Sequence, residues 1–215
     1  STQSRSSAAS DVYKRQDYKS GSKSLDLDRA YYGLDLQLFT YLNYIRKEFG
    51  KKRKDNLIIP SGAYYFHIDD PVVDFGGGED AILKDLRFDG ITLSGNHNIS
   101  LIDEAMVYNN TLTPQADSDV IKLKTKKDGE PSSTTRLYVS GEMNELIDNS
   151  ELEIEKSKKR ILRGEIYPKP YSLGSEKGCD YCEYRGLCGF DLKMPGYNYN
   201  RLKKIDKKCF FEELR

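Results

Sequence analysis

Residues 17 to 42 read DYKSGSKSLDLDRAYYGLDLQLFTYL, and the expected architecture follows from this segment. Asp17 and Lys19 stand two positions apart, so on a β-strand they would lie on the same face. From Leu25 to Phe49, apolar residues recur every three or four positions, which predicts an amphipathic helix. The segment therefore predicts a strand with one acidic and one basic residue, followed by a helix.

The polar residues of this segment indicate phosphodiester chemistry. Gly33, Gln37 and Tyr41 are spaced four apart, so on a single helix they would form one polar stripe. A carboxylate such as Asp17 can hold Mg²⁺, and an ammonium such as Lys19 can orient water or stabilise charge on a phosphate. An Asp-x-Lys pair alone is common on charged surface strands, whereas its combination with the stripe is a specific signal.

This combination resembles the RecB-like family of PD-(D/E)XK nucleases, in which an Asp-x-Lys strand precedes a helix with Gln-x3-Tyr. The resemblance implies an α/β fold with a partial restriction-endonuclease-like core. By that resemblance Asp17 binds Mg²⁺ and Lys19 is the catalytic lysine. Gln37 and Tyr41 would line the active site. The family also has a second acidic ligand on an earlier strand, which residues 1–16 do not supply, so we expect the chain alone to hold Mg²⁺ poorly and to cleave little.

Three of the four cysteines form a second chemical signal: Cys179, Cys182 and Cys188. The two-residue gap between the first pair lets two thiolates reach one metal ion from a single turn. Four thiolates suit either tetrahedral Zn²⁺ or an iron–sulfur cluster. From the residues alone, Cys209 would be the fourth ligand and zinc the metal, with chance clustering of thiols as the alternative.

The cysteine segment also resembles the C-terminal end of AddB-type helicase–nuclease subunits. Residues 179–191 read CDYCEYRGLCGFD, and residues 198–202 read NYNRL. The resemblance implies a 4Fe–4S cluster held by the three cysteines together with an upstream cysteine that this sequence lacks, which would leave Cys209 as an incidental thiol. It also implies DNA as the substrate and an AddA-type helicase–nuclease subunit as the partner.

Between the two signals, local patterns predict the remaining elements. Residues 62–68 are aromatic and β-rich, which predicts a buried strand, and the glycines of residues 74–80 predict a loop. Alternation at residues 120–124 and a β-rich run at residues 136–139 predict a hairpin. A long helix is predicted from Ser140 to Gly164, because apolar residues recur at helical spacing and cations crowd its last turn.

These elements suggest a domain division and a place for the two histidines. We expect a tail at residues 1–16, a partial nuclease domain at residues 17–170 and an iron–sulfur lobe at residues 171–215. The hairpin and long helix would form an insertion in the nuclease domain, which favours the AddB type over the shorter CRISPR-adaptation exonucleases. His67 is expected in the core or at a sheet edge, and His97 on a surface turn.

Composition limits the possible function classes. The 215 residues have zero net charge and a mean hydropathy of -0.70, so DNA binding would need a local groove rather than the overall field. There is no apolar run of about 18 residues, so neither a transmembrane helix nor a membrane partner is expected. Residues 1–16 lack the apolar core of a signal peptide and resemble a translated adapter scar, which predicts a non-native or disordered tail and a cytoplasmic protein.

The resemblance implies the Mg²⁺-dependent exodeoxyribonuclease part of an AddAB-type helicase–nuclease that processes double-strand DNA ends for recombinational repair. The resemblance implies degradation in the 5′-to-3′ direction. The sequence contains no Gly-x4-Gly-Lys-(Ser/Thr) loop, so ATP would act only through other regions or through the partner. The alternative is a non-catalytic DNA-binding or scaffold module with structural zinc on the four cysteines.

Overall fold

A computed structural model describes residues 12–19, 24–52, 59–67, 78–205 and 207–214, and for residues 12–19 it describes the backbone. The chain divides into two compact units. Unit 1 comprises Ser1–Leu25 and Asp35–Asp148, and unit 2 comprises Asp26–Leu34 and Asn149–Arg215. Each unit is therefore built from two separate stretches of sequence.

The strands and helices of the described residues are given in chain order. The strands are β1 (Val12–Lys19), β2 (Ile59–His67), β3 (Asp89–Leu93), β4 (Val107–Tyr108), β5 (Thr111–Leu112), β6 (Leu137–Tyr138), β7 (Tyr171–Leu173), β8 (Glu176–Lys177) and β9 (Asn200–Leu202). The helices are α1 (Leu27–Tyr31), α2 (Gln37–Lys52), α3 (Gly78–Asp85), α4 (Asn96–Ser100), α5 (Ser140–Leu162) and α6 (Lys207–Leu214), with a 3₁₀ turn at Glu104–Met106.

Unit 1 is organised around a four-stranded mixed sheet in the order β1-β2-β3-β6. β1 pairs with β2 in parallel, β2 with β3 antiparallel, and β3 with β6 in parallel. α2 lies in the connection from β1 to β2 and packs on both strands. Parallel neighbours require such a crossover, because a tight turn can join only antiparallel strands.

β2 lies between β1 and β3, and we call it the central strand; glycine lets β3 approach it closely. Residues 60–65 are buried without alternation, as expected of a strand covered on both faces. A Cβ at Gly90 of β3 would lie 1.9 Å from the carbonyl oxygen of Ala63, a distance that no side chain could tolerate. Gly90 is therefore required by the close approach of the two backbones.

The predicted hairpin between residues 120–124 and 136–139 is wrong. β6 pairs with β3 instead, and the backbone N–H of Thr92 donates to the carbonyl of Arg136 (3.0 Å). Ile121 and Leu123 are buried in a cluster with Tyr64, Ile99 and Met106, so the alternation in this segment reflects core packing. The alternating pattern showed which side chains turn inward, but it could not identify the pairing partner.

Ion pairs explain why the segment that contains β6 lies beside β3. The carboxylate of Asp89, 8% exposed, accepts from Lys122 (3.0 Å) and from Arg136 (3.4 Å). The Arg136 guanidinium also donates to the carbonyl of Leu25 (2.7 Å). A buried carboxylate needs such partners, and these draw both predicted hairpin arms towards β3.

A hairpin does form elsewhere, between β4 and β5, where the sequence analysis placed none. Asn109 and Asn110 both have positive φ, 48° and 59°. Two left-handed residues in succession give the type I′ turn of two-residue hairpins, and asparagine is among the residues that adopt it most readily. The Tyr-Asn-Asn-Thr sequence at this turn was the available signal.

Three other predicted boundaries differ from the structure. The helix expected from Leu25 to Phe49 is two helices, α1 and α2, interrupted around Gly33, whose φ is 76°. α3 begins at Gly78, inside the loop predicted at residues 74–80. β1 begins at Val12, within the predicted tail, because the backbone from Val12 onward pairs with β2.

The long helix is confirmed: α5 runs from Ser140 to Leu162, and Gly164 follows with φ 67°. In unit 2, β7 pairs antiparallel with β8 and in parallel with β9. α1 packs against α6 there, with the rings of Tyr31 and Phe210 5.4 Å apart. Within the described ranges, no helix is long and apolar enough to span a lipid bilayer.

We predict that Gly90→Ala lowers the free energy of unfolding of unit 1 by roughly 3 kcal/mol, because the new methyl group would press the strands apart. The measurement is urea-induced unfolding followed by circular dichroism. Gly141→Ala is the matched control, because nothing lies within 4 Å of a Cβ at that helical position. Equal stability of the two variants would contradict the close approach of β2 and β3.

Candidate functional site

Asp17 and Lys19 lie in the last part of β1, next to the central strand. Their backbones are in register with Tyr65 and His67 of β2, respectively. Their positions, two apart in a continuous strand, lie on one face of the sheet. The side chains of β1 fall outside the described part of the chain, as does that of His67. The expected magnesium site at Asp17 therefore remains a prediction.

Gln37 and Tyr41 lie one turn apart on α2, and their side chains contact each other. The Gln37 Nε2 donates to the Tyr41 hydroxyl oxygen at 2.9 Å, and both residues are half-buried. Leu38 and Leu42, from the same turns, are buried at 1% and 0% exposure. The apolar side of α2 thus anchors the helix in unit 1, which fixes the positions of the amide and the phenol.

Gly33 does not belong to this polar stripe, so that part of the prediction is wrong. It precedes α2, and its φ of 76° is one that residues with a side chain rarely adopt. A Cβ there would lie 3.4 Å from the Cβ of Glu153 on α5, within unit 2. Its spacing to Gln37 reflects a left-handed turn and a close contact rather than a shared helical face.

A buried carboxylate just ahead of α2 was missed by the sequence analysis. Asp35 is 5% exposed, and its Oδ1 accepts a hydrogen bond of 3.0 Å from the hydroxyl of Tyr65, which is fully buried. Tyr65 is also the register partner of Asp17. The bond ties the start of α2 to the strand beside β1. An acidic residue two positions before Gln37 was the only local signal, and its burial depends on a partner 30 residues away.

The three cysteines of the predicted cluster lie on consecutive turns after β8. The N–H of Cys182 donates to the carbonyl of Cys179 (3.4 Å), and the N–H of Cys188 donates to that of Tyr184 (3.0 Å). The described residues contain no group of three or more His, Cys, Asp or Glu side chains that could hold a metal ion. The thiols have the chemistry of cluster ligands, but this arrangement does not gather them around one centre, so the 4Fe–4S assignment remains a prediction.

Aromatic packing links the cysteine turns to the Asn-Tyr segment that follows them. The ring of Phe190 lies 5.6 Å from that of Tyr197 and 5.0 Å from that of Tyr199. Desolvation, followed by a hydrogen bond with Cys179, raises the pKa of Tyr199. The two sequence stretches that resemble AddB-type subunits therefore meet in the structure.

Two further residues considered in the sequence analysis, Cys209 and His97, lie outside the cysteine turns. Cys209 is an exposed residue of α6. His97 is exposed on α4, which confirms its predicted surface position, although it lies on a short helix rather than a turn. Neither residue belongs to a possible metal-binding group among the described residues.

A charged network in unit 2 holds the segment between β1 and α2. Arg29 Nη1 contacts both carboxylate oxygens of Glu176 at 2.6 Å, and the Tyr171 hydroxyl donates to the same carboxylate at 2.6 Å. The hydrogen bond from Arg29, and then that from Tyr171, lowers the pKa of Glu176. Desolvation and the bond to Glu176 raise the pKa of Tyr171. The network thus connects α1 to β7 and β8, immediately ahead of the cysteine turns.

The chain matches one protein family and several named bacterial proteins. The sequence profile of the PD-(D/E)XK nuclease superfamily matches residues 11–189. The chain is 32% identical over 194 residues to the B subunit of the ATP-dependent helicase/deoxyribonuclease of Lachnoclostridium phytofermentans, covering 89% of this chain and 17% of that protein. It is 34% identical over 202 residues to the protein of the same name from Clostridium kluyveri, covering 90% of this chain and 17% of the relative.

A third relative, the protein of the same name from Bacillus cereus strain ATCC 14579, is 31% identical over 206 residues, covering 93% of this chain and 17% of that protein. The chain therefore spans about one sixth of the length of the curated relatives it matches.

The lowered pKa of Glu176 predicts a pH-dependent contribution to stability. A depressed carboxyl pKa stabilises the folded state above the unfolded pKa of about 4.3, and this stabilisation is lost as the pH falls through the folded value. Because the side chain is 43% exposed, we expect Glu176→Gln to cost at most about 1 kcal/mol at pH 7.

The difference in the free energy of unfolding between Glu176→Gln and the unmodified chain should become smaller below about pH 4. Denaturant unfolding at pH 7 and at pH 3.5 measures it. Glu183→Gln is the control, since Glu183 is an exposed carboxylate of the same unit. A Glu176→Gln effect of equal size at both pH values would show that the ionised pair is not its source.

Proposed function

We propose, from the premise that this chain belongs to the PD-(D/E)XK nuclease superfamily, that it is the exodeoxyribonuclease portion of a helicase–nuclease subunit. The relatives support this proposal, since each is named as the B subunit of an ATP-dependent helicase/deoxyribonuclease. In such a complex the chain would degrade one strand at a double-strand DNA end, in the 5′-to-3′ direction, for recombinational repair in the bacterial cytoplasm. An AddA-type subunit would be its partner.

The observation that carries the proposal is the arrangement of the first motif. β1 ends with Asp17 and Lys19 beside the central strand, and α2, which packs on both strands, begins with the bonded pair Gln37 and Tyr41. A strand with a carboxylate and an ammonium, followed by a helix packed on it, is the order that the family resemblance requires. The profile match covers all four residues.

Each of these residues has a role suited to phosphodiester hydrolysis. Asp17 would hold Mg²⁺, which when bound supplies a Lewis acid that polarises the phosphate and activates water. Lys19 would stabilise the negative charge that develops on the phosphate. Gln37, as an amide whose orientation is set by Tyr41, would position the DNA backbone. A fixed donor of this kind loses little entropy when the substrate binds.

The proposed activity belongs to the longer proteins of which this chain matches about one sixth. The family resemblance implies a second acidic ligand on a strand ahead of Asp17, and residues 1–16 contain no such motif. We therefore expect the 215-residue chain alone to cleave weakly. Activity should therefore be measured in a full-length relative, with the substitutions made at its equivalent positions.

We predict that Lys19→Ala lowers Mg²⁺-dependent exonuclease activity by about 10² to 10³-fold, since one charge-stabilising group is removed. Tyr41→Phe should have a smaller effect, because it removes only the hydroxyl that orients Gln37. The assay is release of nucleotides from end-labelled duplex DNA by a full-length relative changed at the matching positions, with ATP and its partner subunit present.

Tyr44→Phe is the matched control, because Tyr44 lies on the same helix and its ring is 65% exposed. This control should retain full activity. Undiminished hydrolysis by the Lys19→Ala equivalent would overturn the assignment of the site.

We also propose that the cysteine turns hold a 4Fe–4S cluster in the longer protein, with Cys179, Cys182 and Cys188 as three of its ligands. The spacing of the cysteines and the similarity to the named relatives support this proposal. The cluster would have a structural role, and the turns would have to move to gather the three thiols.

Metal analysis after anaerobic purification of the full-length relative tests this proposal. We predict iron and sulfide in equal amounts and an absorbance near 400 nm, of the order expected for thiolate-bound iron. Both should be lost in Cys182→Ser and retained in Cys209→Ser. Stoichiometric zinc that depends on Cys209 would overturn the cluster and favour a scaffold module with a structural zinc site.

A further inference from the structure

Unit 2 contains a groove of about 760 Å³ that none of the proposed catalytic residues lines. Its wall combines aromatic rings with cations, and six residues define what we call the tyrosine–lysine groove: Tyr31, Tyr32, Tyr171, Lys156, Arg160 and Lys169. The volume is in the range of clefts that bind small molecules. All six residues belong to unit 2, so the groove is formed within one compact unit.

The aromatic side of the groove is fixed in place by contacts behind it. The rings of Tyr31 and Tyr32 lie 5.0 Å apart at 87°, and Tyr31 also packs on Phe210. The Tyr32 hydroxyl accepts from the backbone N–H of Lys203 at 3.2 Å. The Tyr171 hydroxyl is held by the network described above. Rings that are already positioned can stack on a flat ligand without a large loss of entropy.

The cationic side of the groove comes mainly from α5. Lys156 and Arg160 are four residues apart and so lie on one face of the helix. Lys156 pairs with Glu153 at 2.6 Å and Arg160 pairs with Glu165 at 2.9 Å, and both cations are more than half exposed. Glu153 also lines the groove, and its side chain is 20% exposed. Because each cation remains open to solvent, its pair is worth at most about 1 kcal/mol, and an incoming phosphate can bind the same cation.

Glycine keeps the groove open next to the third ring. A Cβ at Gly178 would lie 3.0 Å from the ring of Tyr171, and Gly178 itself lines the groove. A larger residue there would press on the ring. Lys169 adds a third cation and has no carboxylate partner within the described residues.

We propose that the tyrosine–lysine groove binds a segment of single-stranded DNA, with bases stacked on the tyrosines and phosphates on the three cations. A positively charged groove lined with aromatic rings is the pattern by which proteins hold single strands without sequence preference. A duplex would not offer unstacked bases, and an acidic peptide would use the cations but not the rings. This site goes beyond the proposed hydrolysis, because it binds the strand without acting on it.

The test is fluorescence anisotropy of the 215-residue chain with a labelled oligothymidine of about 16 nucleotides, the upper end of single-strand site sizes. The buffer contains EDTA, so no metal-dependent cleavage can occur. The result is therefore independent of the nuclease assay, and a failure of one proposal does not imply a failure of the other.

Two variants with matched controls separate the cations from the rings. Lys156→Gln with Arg160→Gln should weaken binding and reduce the salt dependence of log K by about 0.7 for each phosphate that is no longer neutralised. Lys158→Gln with Lys159→Gln removes the same charge from the same helix, outside the groove, and should change little. Tyr32→Leu should weaken binding about tenfold, because stacking is removed. Tyr108→Leu, at a 71% exposed tyrosine of unit 1 outside the groove, should not weaken binding.

Several outcomes would overturn the proposal. These are no binding of the oligothymidine, an equal loss of affinity in both charge variants, and equal affinity for an abasic strand, which would show that bases do not stack. Displacement by polyglutamate at the same charge concentration would instead assign the groove to an acidic protein partner. Thermal unfolding of each variant by circular dichroism checks that a loss of binding does not arise from a loss of fold.

Discussion

The parallel pairing of β1 with β2 is the constraint on which the rest of the molecule depends. Two parallel neighbours cannot be joined by a turn, so the chain must leave the sheet after Lys19 and return at Ile59 from the other end. The crossover brings α2 onto both strands, and with it Gln37 and Tyr41. A strand that carries Asp17 and Lys19 would have no such helix beside it if the pairing were antiparallel with a short turn.

The two parts of this crossover pack in different units. Residues Asp26–Leu34 belong to unit 2, where Arg29 meets Glu176, while α2 belongs to unit 1. Gly33 lies between α1 and α2, and its positive φ changes the direction of the chain after α1. What the sequence shows as one amphipathic run is therefore two short elements with different packing partners.

Local patterns were enough to predict some of these elements, and the failures share one cause. α5 was predictable because its apolar spacing extends over many turns, and β2 because its aromatic run suits only a buried strand. The pairing of β6 with β3 was not predictable, since it depends on Asp89 meeting Arg136 across 47 residues. The bond from Tyr65 to Asp35 is likewise non-local, so neither its existence nor the burial of that carboxylate could be read from spacing.

For the candidate site, the sequence identified residue types and their order, while the structure supplied their surroundings. The Gln-x3-Tyr spacing correctly predicted neighbours on one helix, because four residues make about one turn. The same reasoning failed for Gly33, since a positive φ cannot be recognised from the spacing of polar residues. The contact of Tyr199 with Phe190 also has no sequence signature, because it depends on how β9 returns to β7.

The interleaving of the two units has a consequence for how the chain folds during synthesis. Each unit is discontinuous in sequence, so no single cut in the chain could release either of them intact. On the ribosome, Asp26–Leu34 emerges before the residues it packs against, which begin at Asn149. That segment must therefore remain without its packing partners until more than a hundred further residues have been made.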